Sequence, residues 1–147
     1  RLMIVGEPYG DYSQEIIDMA DALGLTGDGY VEFLGCRTDV ASLMKNADLF
    51  VMSSLWEGLP ISQIEAAMTG LPMLVTDVGG CREVVDRCNC GIIVDPCDTK
   101  AFSASLIEIL EDEEMRYRFS QNALQFSREF SISHSVEGHF NLYKDLR

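Results

Sequence analysis

The chain has 147 residues, 24 acidic and 11 basic side chains, a formal charge of −13 and 47% apolar types. That is the length and mixture of one globular domain rather than a disordered chain, and no apolar run reaches the roughly 18 residues of a membrane span. Lysines and arginines scattered among twice as many acids leave no basic surface for a phosphate backbone, so no nucleic-acid partner is expected.

Arg1 leads directly into the strand-like Leu-Met-Ile-Val at 2–5, which suggests a piece of something longer, and no basic stretch followed by an apolar core marks a signal peptide. Further strands are expected at 30–34, 49–53, 72–76 and 91–94, with helices between them at 13–24, 38–46, 61–69 and 81–87. Ile16, Met19, Ala20 and Leu23 keep the spacing of an inward helical stripe, with Ser13 as cap and Gly24 as stop. Thr38 and Asp39 open the next helix, which turns Val40, Leu43 and Met44 inward. Beyond Asp98 the pattern is purely helical: Phe102, Leu106, Ile109 and Leu110 form one stripe, residues 115–130 another, and 136–146 a last amphipathic segment. Alternating strands and helices predict an α/β fold, a parallel sheet covered by helices on both faces with a helical C-terminal tail, in a single domain over 1–147.

Five cysteines, at 36, 81, 88, 90 and 97, are an odd number and read as reduced cytoplasmic thiols, small apolar filler and loop groups. They lack the paired two-residue gaps of a zinc ribbon, and His134 and His139, five apart, do not stack on one helical face. No metal site is expected.

In open parallel sheets ligands bind beyond the carboxyl ends of strands, where helix N-termini also point. Of the loops there (6–12, 35–38, 53–60, 77–81 and 95–98), the third is the most informative. It runs Ser53-Ser54-Leu55-Trp56-Glu57-Gly58-Leu59-Pro60 into the helix Ile61-Ser62-Gln63-Ile64-Glu65-Ala66-Ala67-Met68, and Pro60 suits a first turn. At ~100° per residue Ile61, Ile64 and Met68 share one side, expected to pack on the sheet, and Glu65 projects on the same side. A carboxylate on a buried stripe needs partners. Either Glu65 accepts backbone amides or meets Arg82 or Arg37, or it receives the hydroxyls of a ligand over the helix start. A pyrophosphate at that N-terminus would set a ribose near Glu65. Glu57, at the helix mouth, would then reach hydroxyls on the group at the other end, and Gly58 would let a ligand approach the backbone.

The run Glu57-x7-Glu65, within Glu-Gly-Leu-Pro-x4-Glu-Ala-Ala-Met-x-Gly-x-Pro, resembles the signature of retaining glycosyltransferase family 4. The resemblance continues through Val31-Glu32-Phe33-Leu34-Gly35, Asn46-Ala47-Asp48, Thr76-Asp77-Val78-Gly79-Gly80-x-x-Glu83 and Gly91-Ile92-Ile93-Val94-Asp95-Pro96, and covers residues 2–113 most strongly. It implies the GT-B architecture, two Rossmann-like domains facing across a cleft. It also implies transfer of a hexose from a UDP- or GDP-linked nucleotide diphosphate sugar to a hydroxyl acceptor, lipid-linked, sugar or other, without a metal. Glu57 would touch the donor sugar, Glu65 the ribose diol, and the amides around Leu59 and Ile61 would cradle sugar and phosphate. The loop at Cys36 and Arg37 would border the base, Arg37 being equally well read as a solvated loop arginine. An Arg and Lys pair that in this family lies upstream of the strand at 2–5 is missing here, as is the acceptor-binding N-terminal domain. The resemblance therefore implies most of a C-terminal donor-binding domain, inactive alone, from a cytoplasmic protein that could attach peripherally to the inner membrane through its other domain.

Gly79-Gly80 read either as amides for an anion or as a tight turn, and Glu83 as a first-turn acid. Residues 6–10 resemble a phosphate loop only faintly, Trp56 reads as loop packing before sugar platform, and residues 111–114 as a solvated helix junction. The rival readings are a non-catalytic nucleotide-sugar-binding module, an acidic signalling receiver, and an epimerase or hydrolase on the same architecture.

Overall fold

The computed structural model describes residues 1–7 and 11–145. Two compact units divide the chain, Arg1–Val40 and Ala41–Arg147. The glycine-containing stretch 6–10 and the end of the terminal helix at 146 fall partly outside the described residues.

In the first unit β1 (Leu2–Val5) pairs in parallel with β2 (Val31–Gly35), Leu2 opposite Val31 and Ile4 opposite Phe33. Between them runs α1 (Asp11–Ala22). Gly24 ends it as expected: its φ of +69° is easy only for glycine, and it lets the Leu25 N–H reach back to the Ala20 carbonyl at 2.9 Å. The expected inward stripe is corrected. Ala20 is buried, but Ile16, Met19 and Leu23 are exposed, and the less exposed flank is Ser13, Ile17 and Ala20. The two stripes lie one residue apart, so spacing alone does not choose between them. Ser13 sits inside the first turn, not ahead of it.

The second unit opens within α2 (Val40–Lys45), whose Met44 is buried and whose Val40 and Leu43 are half-buried, as expected. β3 (Phe50–Met52), β4 (Met73–Thr76) and β5 (Gly91–Val94) form a parallel sheet in that order, Val51 opposite Leu74 and Val75 opposite Ile93. All four residues of β4 are buried, as befits a central strand of nearly pure apolar sequence. The five expected strands thus all form and all pair in parallel, but as sheets of two and three strands, because alternation of elements does not say which edges meet.

α4 (Cys81–Cys88) and α5 (Thr99–Glu111) pack on β4 and β5. Cys81, Val84, Cys88, Cys90 and Ile109 complete a core with Met73 and Leu74. Asp98 caps α5 through the Ala101 N–H at 2.9 Å. Asp112 ends α5 and caps α6 (Glu113–Phe126) through the Met115 N–H at 2.8 Å, so the acidic run is an exposed helix junction. A 3-10 turn (Ser127–Phe130) separates α6 from α7 (Ile132–Asp145), breaking the expected 115–130 stripe. α7 leaves Ile132, Val136, Phe140 and Tyr143 exposed.

Candidate functional site

The carboxyl ends of β3 and β4 carry two loops that are fastened to each other. The Thr76 hydroxyl donates to the Ser54 carbonyl at 2.5 Å, and the Gly80 N–H donates to the Gly58 carbonyl at 2.5 Å. These ties hold the 53–60 loop over the start of α4, with Glu57 at the mouth of α3 (Ile61–Met68). The Ser54 hydroxyl donates to Glu57 Oε1 at 2.7 Å and fixes the half-buried carboxylate. A β-carbon on Gly58 would meet open space, so the backbone there is accessible from outside.

α3 begins at Pro60, which offers no side-chain cap. No described residue accepts from the N–H groups of Leu59 or Ile61, and both side chains are exposed. Helix N-termini with free amides favour anions.

The position of Glu65 corrects the sequence reading. The inner face of α3 is Pro60, Gln63, Ala66 and Ala67, continued by Gly70; Ile61 and Met68 are 63% and 51% exposed. Glu65 does share a flank with Ile61, but that flank faces outward, so no burial penalty holds the acid in place. The reason is size: Ala66, Ala67 and Gly70 let α3 lie close to its neighbours, where Ile61 and Met68 would not fit. Gly70 already touches the limit, since a β-carbon there would come within 2.8 Å of the Leu124 side chain. Neither suggested arginine takes Glu65. Arg82 grips Asp77 at 3.1 and 2.6 Å, and Arg37 grips Asp39 at 2.8 and 2.7 Å. Among the described residues the Glu65 carboxylate has no hydrogen bond or ion pair.

Glu57, Gly58, Leu59 and Ile61 thus share one loop–helix junction, with Glu65 about one turn on. Cys36 and Arg37 belong to the first unit, where Cys36 is exposed and Arg37 is held by Asp39, as a loop arginine would be. Hydrogen bonding from Arg37 holds the Asp39 carboxyl below its ordinary value, and Arg82 does the same to Asp77. Cys81, fully buried in the first turn of α4, has its thiol pushed up, first by burial and then by the charges of Glu57 and Asp77. Burial and an upward shift are the opposite of the exposed, electropositive setting that activates a thiol.

Trp56 is 84% exposed and does not pack the loop as expected. Gly79-Gly80 form the tight turn, and Glu83 is a first-turn acid paired with Arg87 at 3.0 Å. Ser54, Thr76 and Gln63 were not singled out from the sequence. Thr76, a polar end to an apolar strand, and Gln63, in register with Ala66, Ala67 and Gly70, were the available signals. Among the described residues no three His, Cys, Asp or Glu side chains gather as metal ligands, and no helix is long and apolar enough to cross a membrane.

The chain belongs to the family described as glycosyl transferases group 1, whose model matches residues 1–126. It is similar to the N,N'-diacetylbacillosaminyl-diphospho-undecaprenol alpha-1,3-N-acetylgalactosaminyltransferase of Campylobacter jejuni, 31% identical over 83% of this chain and 32% of that protein. Among solved structures it resembles WaaG, a glycosyltransferase involved in lipopolysaccharide biosynthesis, with 28% identity, TM-score 0.77, and coverage of 86% of this chain and 33% of that one. It also resembles Anabaena HepE in complex with UDP-glucose, with 26% identity, TM-score 0.77, and coverage of 86% and 35%. The chain spans about a third of the length of the curated relatives it matches.

Proposed function

We propose that residues 1–147 are most of the donor-binding domain of a retaining, metal-independent GT-B hexosyltransferase of glycosyltransferase family 4, with an acceptor domain elsewhere in the protein. The observation that carries the reading is the pair of carboxylates around the start of α3: Glu57 held in place by Ser54, and Glu65 free of any described partner. An exposed acid left unpaired near free helix amides suits a diol and a diphosphate arriving together. Glu65 takes the ribose hydroxyls, the amides of Leu59 and Ile61 face phosphate and sugar, and Glu57 orients the donor sugar. The leaving diphosphate is stabilised by dipoles already in place, which is electrostatic catalysis rather than covalent chemistry.

A UDP-linked donor is supported by the likeness to HepE, solved with UDP-glucose, and a lipid-linked acceptor by the name of the Campylobacter relative. The resemblance assigns Cys36 and Arg37 to the nucleotide base. Five thiols, none in a disulfide, suit the cytoplasm. The test is a radiolabelled sugar-transfer assay. The whole polypeptide that carries these residues transfers sugar from a nucleotide diphosphate donor, and the 147 residues alone do not. Robust turnover by the isolated chain contradicts this division of labour.

A further inference from the structure

Gln63 occupies the third position of α3, from which a glutamine side chain often reaches back to the N–H of the capping residue. Here the capping residue is Pro60, which has no N–H to offer. The side chain turns inward instead and is fully buried against Met73 and Cys81. Its Nε2 donates to the Cys81 carbonyl at 3.0 Å and to Met73 Sδ at 3.4 Å. Both partners are acceptors, so they determine which way the amide faces. Its Oε1 is buried and has no hydrogen-bond partner.

That arrangement is a poor choice for packing alone. An unpaired buried acceptor is destabilising, and methionine or leucine would fill the same space in an apolar layer without one. What the amide supplies is a link between the first turn of α3 and the first residue of α4. The neighbouring ties, Thr76 to Ser54 and Gly80 to Gly58, hold the loop; Gln63 holds the helix itself.

We infer that Gln63 is a positioning residue, which locks the start of α3 against α4 so that the Glu57 carboxylate, the free amides and Glu65 keep one spacing suited to a nucleotide diphosphate sugar. The inference rests on the donor-site reading above. It has a signature that a merely structural residue lacks: removing the amide should weaken donor binding without weakening the fold, the pattern of a site held at the expense of stability.

The experiment compares wild type with Gln63→Met and Gln63→Leu in the whole polypeptide, using UDP-glucose and GDP-mannose as probes. Expected are thermal midpoints equal to or above wild type, a donor Kd raised about tenfold, the scale of one lost hydrogen bond, and a raised donor KM with little change in kcat. Unchanged donor affinity in both variants overturns the inference. So do midpoints that fall together with affinity, which would make Gln63 structural. Wild type that binds neither UDP-glucose nor GDP-mannose overturns the donor-site reading itself, and this inference with it.

Discussion

A β-carbon on Gly79 would lie 2.0 Å from the carbonyl oxygen of Glu57. The backbone of Glu57 thus rests directly on the turn that follows β4, and Gly79 itself has a φ of +49°. Clash and strained φ act together, so Gly79→Ala is expected to destabilise the fold by at least about 2 kcal/mol. Urea denaturation measures it; a variant as stable as wild type would show that the two loops are not in contact.

The two acids should separate by ligand. Glu65→Ala is expected to weaken both UDP and UDP-sugar by about 1.5–3 kcal/mol, the worth of a hydrogen bond to a charged group. Because its carboxylate has no partner among the described residues, thermal stability should stay within about 0.5 kcal/mol of wild type. Glu57→Ala is expected to spare UDP and weaken only the sugar-bearing donor. Calorimetric titration of each variant with both ligands checks this, and equal losses for both variants on both ligands would break the assignment of roles.

The thiols divide by burial. Cys36 and Cys97 are exposed, whereas Cys81, Cys88 and Cys90 are buried. The Cys90 thiol is pushed far up, first by its hydrogen bond with Cys88 and then by burial. Native labelling with a thiol reagent at pH 8 should therefore modify Cys36 and Cys97 quickly and the other three only on unfolding. Mass spectrometry after timed quenching reads the count.

Asp77 supplies a pH dependence with a definite sign. Its carboxyl lies below the ordinary 3.8 chiefly because Arg82 donates hydrogen bonds to it. Its contribution is fully present above that ordinary value and is lost as pH falls through the depressed one. Asp77→Asn should therefore lower stability at neutral pH and flatten the remaining loss below pH 3.8. Urea midpoints at pH 7 and in steps below pH 4 test it; parallel curves for the two proteins would assign the pair no linkage.

Strand identity, parallel pairing and most helix limits were legible because continuous apolar runs and stop signals act locally: β4 and its burial, the stop at Gly24 and the purely helical pattern beyond Asp98 are examples. The face of α3 was not. Periodicity placed Glu65 beside Ile61 correctly but assigned that flank to the core, because hydrophobicity favours isoleucine and methionine there. Close approach favours Ala66, Ala67 and Gly70 instead, and helix–helix distance is a tertiary property that spacing does not encode. For the same reason the support for Glu57 by Ser54 and Thr76, residues 22 apart in sequence, could not be read from either position alone.

The most direct measurement is a thermal-shift series of UDP, GDP and ADP on the whole polypeptide, run beside Glu65→Ala. At least one nucleoside diphosphate, UDP foremost, is predicted to raise the wild-type midpoint in a concentration-dependent way, with the rise largely abolished in the variant. A rise of equal size in both proteins, or none with any nucleotide, would contradict a diol-binding role for the free acid on α3.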